Sequence, residues 1–180
     1  MAETLPVNYF ELFEIPVTYD IDHDQLQHRY RELQKAVHPD KYASASSQER
    51  RISMQQTSLI NQALHTLKHP VERAMYLLQL EGVDFTMDNE TTMDAAFLME
   101  QMEMREALES IRDRDDPIAE LDRISADIRS GMNRIATEFK QTYAAGELEQ
   151  AREAVRKLQF LYKASKEVEE LTVSIEDELM

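Results

Sequence analysis

Apolar residues recur every three or four positions through residues 26–37, as on the buried face of an amphipathic helix. The residues that share this face are Leu26, Tyr30, Leu33 and Val37. At about 100° per residue, a basic set falls on the opposite, solvent-facing side. This set consists of His28, Arg31 and Lys35. Pro39 disfavours helical geometry at the residue before it, so we expect the helix to end near Val37 or His38. The pattern therefore predicts a basic helix that leads into an exposed turn of His38, Pro39 and Asp40.

The helix and its His-Pro-Asp turn resemble a J-domain, the co-chaperone module that docks on heat-shock-type chaperone ATPases. The flanking segments fit the same family. NYFELFEIP at residues 8–16 is similar to its short first helix, and INQALHTLKHPVERAMY at residues 60–76 to the junction of its third and fourth helices. The loop after Asp40 is short and is expected to end near Ser47. The resemblance covers roughly residues 7–80 and implies a helical hairpin with a chaperone partner.

The second half of the chain predicts three helices joined by short connections. Gly82 is a plausible terminator for the last helix of the first half. The second of the three helices has Asp116 in the N-cap position and Pro117 at its first helical position. The predicted spans are 91–111, 116–146 and 147–171. Short connections between amphipathic helices favour an antiparallel three-helix bundle. We therefore expect an all-α protein with a J-domain at 1–80, a linker at 81–88 and a three-helix domain at 89–180.

The first bundle helix carries more apolar residues than its core face requires. The residues on the core face are Met93, Phe97, Met104, Leu108 and Ile111. Leu98, Met99 and Met102 point elsewhere and alternate with acidic residues. In the third helix the inward stripe consists of Ala151, Val155, Leu158, Leu161 and Tyr162, and Phe160 points away from it. A contiguous outward apolar patch usually marks an interaction surface, although packing against the J-domain or a dimer partner is the alternative.

Two segments of this half, FLMEQMEMREALE at 97–109 and VRKLQFL at 155–161, resemble the HscB family of iron–sulfur cluster co-chaperones. In that family the J-domain activates the chaperone HscA, and the C-terminal bundle carries the cluster scaffold protein IscU. The resemblance implies a scaffold-binding surface at Leu98, Met99, Met102, Glu103, Glu106 and Phe160. Ser110 stands where some members have an acidic residue. Certain eukaryotic members carry an N-terminal cysteine-pair metal site; this chain has no cysteine, which favours a bacterial-type protein.

The same resemblance implies a chaperone-binding surface in the first half. Its members are His28, Arg31, Lys35, His38, Pro39 and Asp40. Arg31 and Lys35 are expected to form charge-assisted contacts with an acidic surface on the chaperone. A solvated helix face is the ordinary interpretation of such residues, but their place directly before His-Pro-Asp favours docking.

Charge and composition narrow the range of partners. Residues 1–80 hold 8 lysines and arginines against 10 acids, a net charge of −2, whereas residues 81–180 hold 12 against 25, a net charge of −13. An acidic half of this kind disfavours nucleic acid, whose phosphates require clustered basic residues. The N-terminal residues lack the pattern of a signal peptide, and no apolar stretch is long enough for a membrane span. We expect a monomer in the cytoplasm, with neither cofactor nor metal.

Other functions have weaker support. An enzyme needs a nucleophile with its base or a glycine-rich phosphate loop, and the three glycines are isolated. His65 and His69 are spaced as a helical metal pair, but no further histidine or cysteine cluster completes a site. A J-domain protein that serves a different client is the main alternative, and a helical dimerisation scaffold that uses Leu98, Met102 and Phe160 is the third.

Overall fold

A computed structural model describes residues 8–37, 46–84 and 94–179 of the 180-residue chain. Regular structure in these ranges is helical, with no strand among them. The helices are α1 (Tyr9–Leu12), α2 (His23–Val37), α3 (Ser47–Lys68), α4 (Pro70–Leu80), α5 (Ala95–Glu109), α6 (Pro117–Ala144) and α7 (Leu148–Leu179), with a 3-10 turn at Ile111–Asp113. None of these helices is long and apolar enough to cross a membrane. The predicted all-α fold class is confirmed.

The chain divides into two compact units, residues 1–81 and 82–180. This division falls close to the predicted end of the J-domain at residue 80. The linker predicted at residues 81–88 stays a prediction, because residues 85–93 lie outside the described ranges.

The first unit is a hairpin of α2 and α3, and α1 and α4 pack against α3. Its most deeply buried large side chains are Phe10, Phe13, Leu26, Leu67, Leu77 and Leu78. Of the apolar face predicted for α2, Leu26 is fully buried, whereas Tyr30, Leu33 and Val37 are half-buried. The helix is described as far as Val37. Its predicted end near Val37 or His38 stays a prediction, because His38 lies outside the described residues.

Side chains near the helix ends define where the helices of this unit begin. Ser46 accepts a hydrogen bond from the backbone N–H of Glu49, whose carboxylate accepts from the backbone N–H of Ser46 in return. This capping box satisfies two backbone donors that the first turn leaves without helical partners. The helix α3 therefore starts at Ser47, where the short loop was predicted to end. His69 Nδ1 caps α4 by accepting from the N–H of Glu72 at 3.4 Å.

The short helix α1 is held by aromatic contacts with α4. The rings of Tyr9 and Tyr76 stack with their centroids 4.5 Å apart, and the backbone N–H of Tyr9 donates to the hydroxyl of Tyr76 at 3.0 Å. Burial raises the pKa of the Tyr76 hydroxyl above its ordinary value. A four-residue helix is unstable alone in water, so the contacts with α4, together with the packing of α1 on α3, keep α1 in place.

The second unit is built on the long helices α6 and α7, which pack along each other. The helix α5 lies beside them and lines a groove with each. A connection of only three residues, 145–147, makes α6 and α7 antiparallel neighbours. The core of this unit includes Phe97, Leu108, Ile111, Leu121, Ile124, Ile128, Ile135, Phe139, Ala151, Val155, Leu158 and Leu161. The predicted start of α6 is confirmed, since the Asp116 carboxylate accepts from the N–H of Ala119 at 3.1 Å and Pro117 opens the helix.

Two of the helices predicted for this unit have different boundaries in the structure. The third helix was expected to end near residue 171, but α7 continues to Leu179. One cause is that the buried apolar stripe of α7 continues through Val168 to Ile175, seven residues later. The other is an ion pair near the end of the helix, in which Arg112 lies 2.7 Å from Glu178.

The first bundle helix was predicted at 91–111, yet α5 spans Ala95–Glu109. The Asp94 side chain caps its start, and the 3-10 turn at Ile111–Asp113 follows it. Met93, predicted for the core face, lies outside the described residues. Of the other predicted core residues, Phe97, Leu108 and Ile111 are buried, and Met104 is half-buried.

We expect substitution by alanine to have opposite effects on stability at Gly146 and at Gly131. Gly146 ends α6 with φ +74°, whereas Gly131 lies inside α6 and does not have a positive φ. We expect Gly146→Ala to lower the free energy of unfolding by about 1 kcal/mol, because a Cβ disfavours the left-handed conformation. Gly131→Ala should raise the free energy of unfolding by less than about 1 kcal/mol. Its Cβ would lie 3.2 Å from Leu161 Cδ1, a flexible side-chain end whose displacement offsets part of the gain.

Urea unfolding of the two variants measures both changes. Equal destabilisation by the two substitutions would contradict the conformational explanation, because only Gly146 has the positive φ.

Candidate protein-binding surfaces

The basic face predicted for α2 is present and exposed. His28, Arg31 and Lys35 are all exposed side chains. Glu32 lies at the edge of this face, with Oε1 3.4 Å from His28 Nε2 and Oε2 2.9 Å from Arg29 Nη1. The hydrogen bond from Arg29, with the nearby charges of His28 and Lys35, lowers the pKa of the Glu32 carboxyl. Arg31 and Lys35 thus present positive charge beside an ionised carboxylate.

A hydrogen bond from α3 holds the C-terminal end of α2. Ser53, which is buried, donates from its hydroxyl to the Val37 carbonyl at 2.7 Å. His38, Pro39 and Asp40 follow directly in sequence and lie outside the described residues. Ser53 was not among the residues predicted from the sequence. The available signal was its place seven residues before Ile60, on the buried stripe of α3.

The pair His65 and His69 takes part in hydrogen bonds at the junction of α3 and α4. His65 Nδ1 lies 2.9 Å from a Glu72 carboxylate oxygen, and His69 caps α4. No cluster of three or more residues suited to hold a metal ion occurs within residues 8–37, 46–84 and 94–179.

The helix α5 presents a ridge of large apolar side chains to solvent. Met99 and Met102 are each 63% exposed, and Leu98 is half-buried. Glu103 and Glu106, which lie one turn beyond Met99 and Met102 respectively, are exposed. Unbranched, polarisable methionine side chains can adapt to the shape of a partner, so this ridge is suited to protein contact.

An apolar groove of about 510 Å³ runs between α5 and α7. The apolar part of its lining comes from Leu98, Met102, Met104, Leu108, Phe160 and Ala164, and its charged part from Arg105, Lys163 and Glu167. Apolar atoms make up most of its surface. A groove of this kind suits apolar side chains from a partner, while the charges at its rim can fix their orientation.

The structure brings together only part of the predicted scaffold-binding set. Leu98, Met102 and Phe160 line the same groove. Glu103 instead lines a second groove of about 300 Å³ between α5 and α6. Met99 and Glu106 line neither of these two grooves. The set therefore forms a ridge with a groove on either side, rather than one pocket.

Phe160 is half-buried rather than fully outward, because its ring rests on the core. It meets the ring of Phe97 edge to face, with centroids 6.2 Å apart. Lys157, one turn earlier in α7, places its ammonium 2.8 Å from Asp94 Oδ2. Asp94 is also the N-cap of α5 and accepts from the N–H of Phe97 at 3.1 Å. Lys157 and Asp94 were not predicted from the sequence, because their contact joins residues 63 positions apart.

Comparisons with known proteins agree with this two-unit arrangement. A DnaJ domain model matches residues 8–76, and a model described as the HSCB C-terminal oligomerisation domain matches residues 93–169. The co-chaperone protein HscB homolog of Shewanella halifaxensis is 46% identical over 166 residues, which cover 90% of this chain and 95% of that protein. This chain belongs to the HscB family of co-chaperones.

Solved structures of HscB proteins have the same fold. Chaperone HscB from Vibrio cholerae superposes with a TM-score of 0.85 at 38% identity, covering 97% of this chain and all of that one. The human co-chaperone HscB gives a TM-score of 0.83 at 28% identity, over 92% of this chain and 83% of that one. The predicted J-domain followed by an HscB-type bundle is therefore confirmed.

Membership of the HscB family settles the class of function. The protein is a co-chaperone of the J-domain type, a regulator of a chaperone rather than a catalyst itself. The alternative of a J-domain protein with an unrelated client is not favoured, because the match extends through the C-terminal unit. The expectation of a monomer stays a prediction, and so do the roles of the individual site residues.

Proposed function

We propose that the protein binds the iron–sulfur cluster scaffold IscU on its C-terminal unit, delivers it to the chaperone HscA and stimulates ATP hydrolysis by that chaperone. The observation that carries this proposal is the presence of two distinct binding features in one HscB-family chain. One is the basic face of α2 that leads to His38, Pro39 and Asp40. The other is the apolar ridge and groove of α5 and α7.

On the first unit, Arg31 and Lys35 form charge-assisted contacts with an acidic surface of the chaperone, and His28 adds to the same face. His38 and Asp40 hydrogen-bond to the chaperone at the turn, and Pro39 fixes the backbone between them. Docking favours the hydrolysis-competent conformation of the chaperone, which is a population shift driven by differential binding.

On the second unit, Leu98, Met102 and Phe160 bury apolar side chains of the scaffold in the groove between α5 and α7. Met99 extends this apolar contact along the ridge, where its exposure supports a role in binding. Glu103 and Glu106 pair with basic groups of the scaffold, and the acidic character of residues 81–180 favours such a partner.

The two surfaces act together because one chain holds both proteins. A scaffold bound to the second unit arrives at the chaperone together with the J-domain. Tethering raises the effective concentration of the scaffold at the chaperone's substrate site without any additional contact. In this scheme the protein works as a monomer in the cytoplasm, with residues 81–88 as the linker and without a cofactor of its own.

The test is single-turnover ATP hydrolysis by HscA with this protein, with IscU, and with both. We expect each to stimulate hydrolysis modestly and the two together to stimulate it more than the product of their separate effects. Stimulation by this protein with nothing added by the scaffold would leave the J-domain assignment intact and refute the proposed client.

A further inference from the structure

Lys157 occupies an unusual position for a lysine, in the interface between α7 and α5. Its side chain is only 13% exposed, and its ammonium lies 2.8 Å from Asp94 Oδ2. Removing an ammonium from water costs free energy unless a charged partner and hydrogen bonds replace the lost hydration. Asp94 supplies that compensation, so the position of Lys157 depends on where α5 begins.

Asp94 connects this ion pair to the backbone of α5. Its second carboxylate oxygen, Oδ1, accepts from the N–H of Phe97 at 3.1 Å and so caps the helix. The lysine ammonium also lies 5.9 Å from the centre of the Phe97 ring, on which Phe160 rests edge to face. One ammonium therefore contacts both the cap of α5 and the ring that supports Phe160.

The charges of this pair are stable near neutral pH. Burial lowers the pKa of Lys157, but the hydrogen bond to Asp94 and the nearby carboxylates of Glu138 and Glu153 raise it, and the net shift is upward. The hydrogen bond from Lys157, together with that from the backbone N–H of Phe97, lowers the pKa of Asp94. Both groups are thus ionised near neutral pH.

On the side that faces α6, the N-terminal half of α5 has weaker contacts than on the side that faces α7. A groove of about 300 Å³ separates it from α6, and the ion pair across that groove, Glu100 with Arg134, is long at 3.8 Å and well exposed. Exposed ion pairs of this kind contribute little to stability. The contacts with α7 therefore fix where this half of α5 lies.

We propose that Lys157 and Asp94 are positioning residues for scaffold binding, which hold the first turns of α5 against α7 so that Leu98, Met102 and Phe160 form one groove. Neither residue needs to contact the scaffold for this role. The inference rests on the proposed function, and it adds to it a determinant of the shape of the binding surface.

The experiment compares the intact wild-type protein with Lys157→Met and Asp94→Asn. Methionine keeps a similar length without the charge, and asparagine keeps an oxygen that can still cap α5. The control is Lys166→Met, which removes the same charge from α7 and breaks an exposed ion pair with Glu169 of 2.9 Å. Amide hydrogen exchange is measured on the free proteins, and affinity for IscU by calorimetry.

In both test variants we expect amide exchange in the first two turns of α5 to accelerate about tenfold, and the dissociation constant for IscU to rise about tenfold. Exchange in the middle of α6 should stay within about twofold of wild type, as should every quantity in Lys166→Met. The double variant should resemble either single variant, since each change breaks the same contact.

Two results would refute the inference, and a third would refute the proposed function. Unchanged exchange in α5 with unchanged affinity would refute it. Weaker binding with unchanged α5 exchange would show that Lys157 contacts the scaffold directly, which also refutes a positioning role. If the wild-type protein fails to bind IscU, the proposed function is wrong. Amide hydrogen exchange in the free variants still decides whether Lys157 and Asp94 hold α5 against α7.

Discussion

The variant His38→Gln should fold normally and fail to stimulate ATP hydrolysis by the chaperone. The change falls in the predicted turn after α2, directly beyond the end that Ser53 holds by its hydrogen bond to Val37. Substitutions at exposed positions usually change the free energy of unfolding by less than about 0.5 kcal/mol. In contrast, loss of a contact made only in the docked complex removes the population shift that drives hydrolysis.

His23→Gln is the matched control, because His23 is an exposed residue at the other end of α2 and off its basic face. Single-turnover hydrolysis should fall to the unstimulated rate with His38→Gln and stay at the wild-type level with His23→Gln. Circular dichroism and thermal unfolding check that both variants are folded. Full stimulation by a folded His38→Gln protein would contradict the docking assignment.

The double variant Leu98→Ala with Phe160→Ala should lose most of its affinity for the scaffold. Truncating an interface hot spot typically costs about 2 kcal/mol or more, which raises the dissociation constant about thirtyfold per residue when the effects add. Both residues line the groove between α5 and α7, where a partner's apolar side chains would be buried.

The cost in stability should be larger than for fully exposed residues. Phe160 rests on Phe97, and Leu98 is half-buried, so we expect the free energy of unfolding to fall by about 1–2 kcal/mol in total. Val173→Ala on α7, which removes an exposed apolar side chain outside the groove, is the control and should change neither quantity. Calorimetry with IscU and urea unfolding measure the two effects. Unchanged affinity with a large loss of stability would mean that the groove residues serve only packing.

Much of the fold followed from local signals. The start of α6 could be predicted because Asp116 and Pro117 favour a helix N-terminus by their own geometry. The end of α4 could be predicted for a similar reason, since Gly82 adopts φ +78° after the helix. The end of α7 could not be predicted, because residues 171–179 hold no glycine or proline. The helix continues as long as its apolar face, which includes Ile175, is buried within the second unit.

The candidate surfaces followed from the sequence only in part. Helical periodicity identified Met99 and Met102 as outward, because exposure there depends only on angular position around α5. It could not show that Phe160 is half-buried, since that depends on where Phe97 of another helix lies. The pairing of Lys157 with Asp94 and the contact of Ser53 with Val37 were missed for the same reason. Both contacts join residues that belong to different helices. In addition, lysine and serine are residue types that do not normally indicate burial.

The stacking of Tyr9 on Tyr76 has a consequence for synthesis of the protein. The two residues are 67 positions apart, so their contact closes a loop that spans most of the first unit. Contacts of high sequence separation form late, because the entropy of loop closure is lost before the contact can offset it. The helix α1 is therefore among the last to dock, although it precedes α2, α3 and α4 in the chain. Until α4 has emerged, the apolar ring of Phe10 has no complete site and stays available to other proteins in the cell.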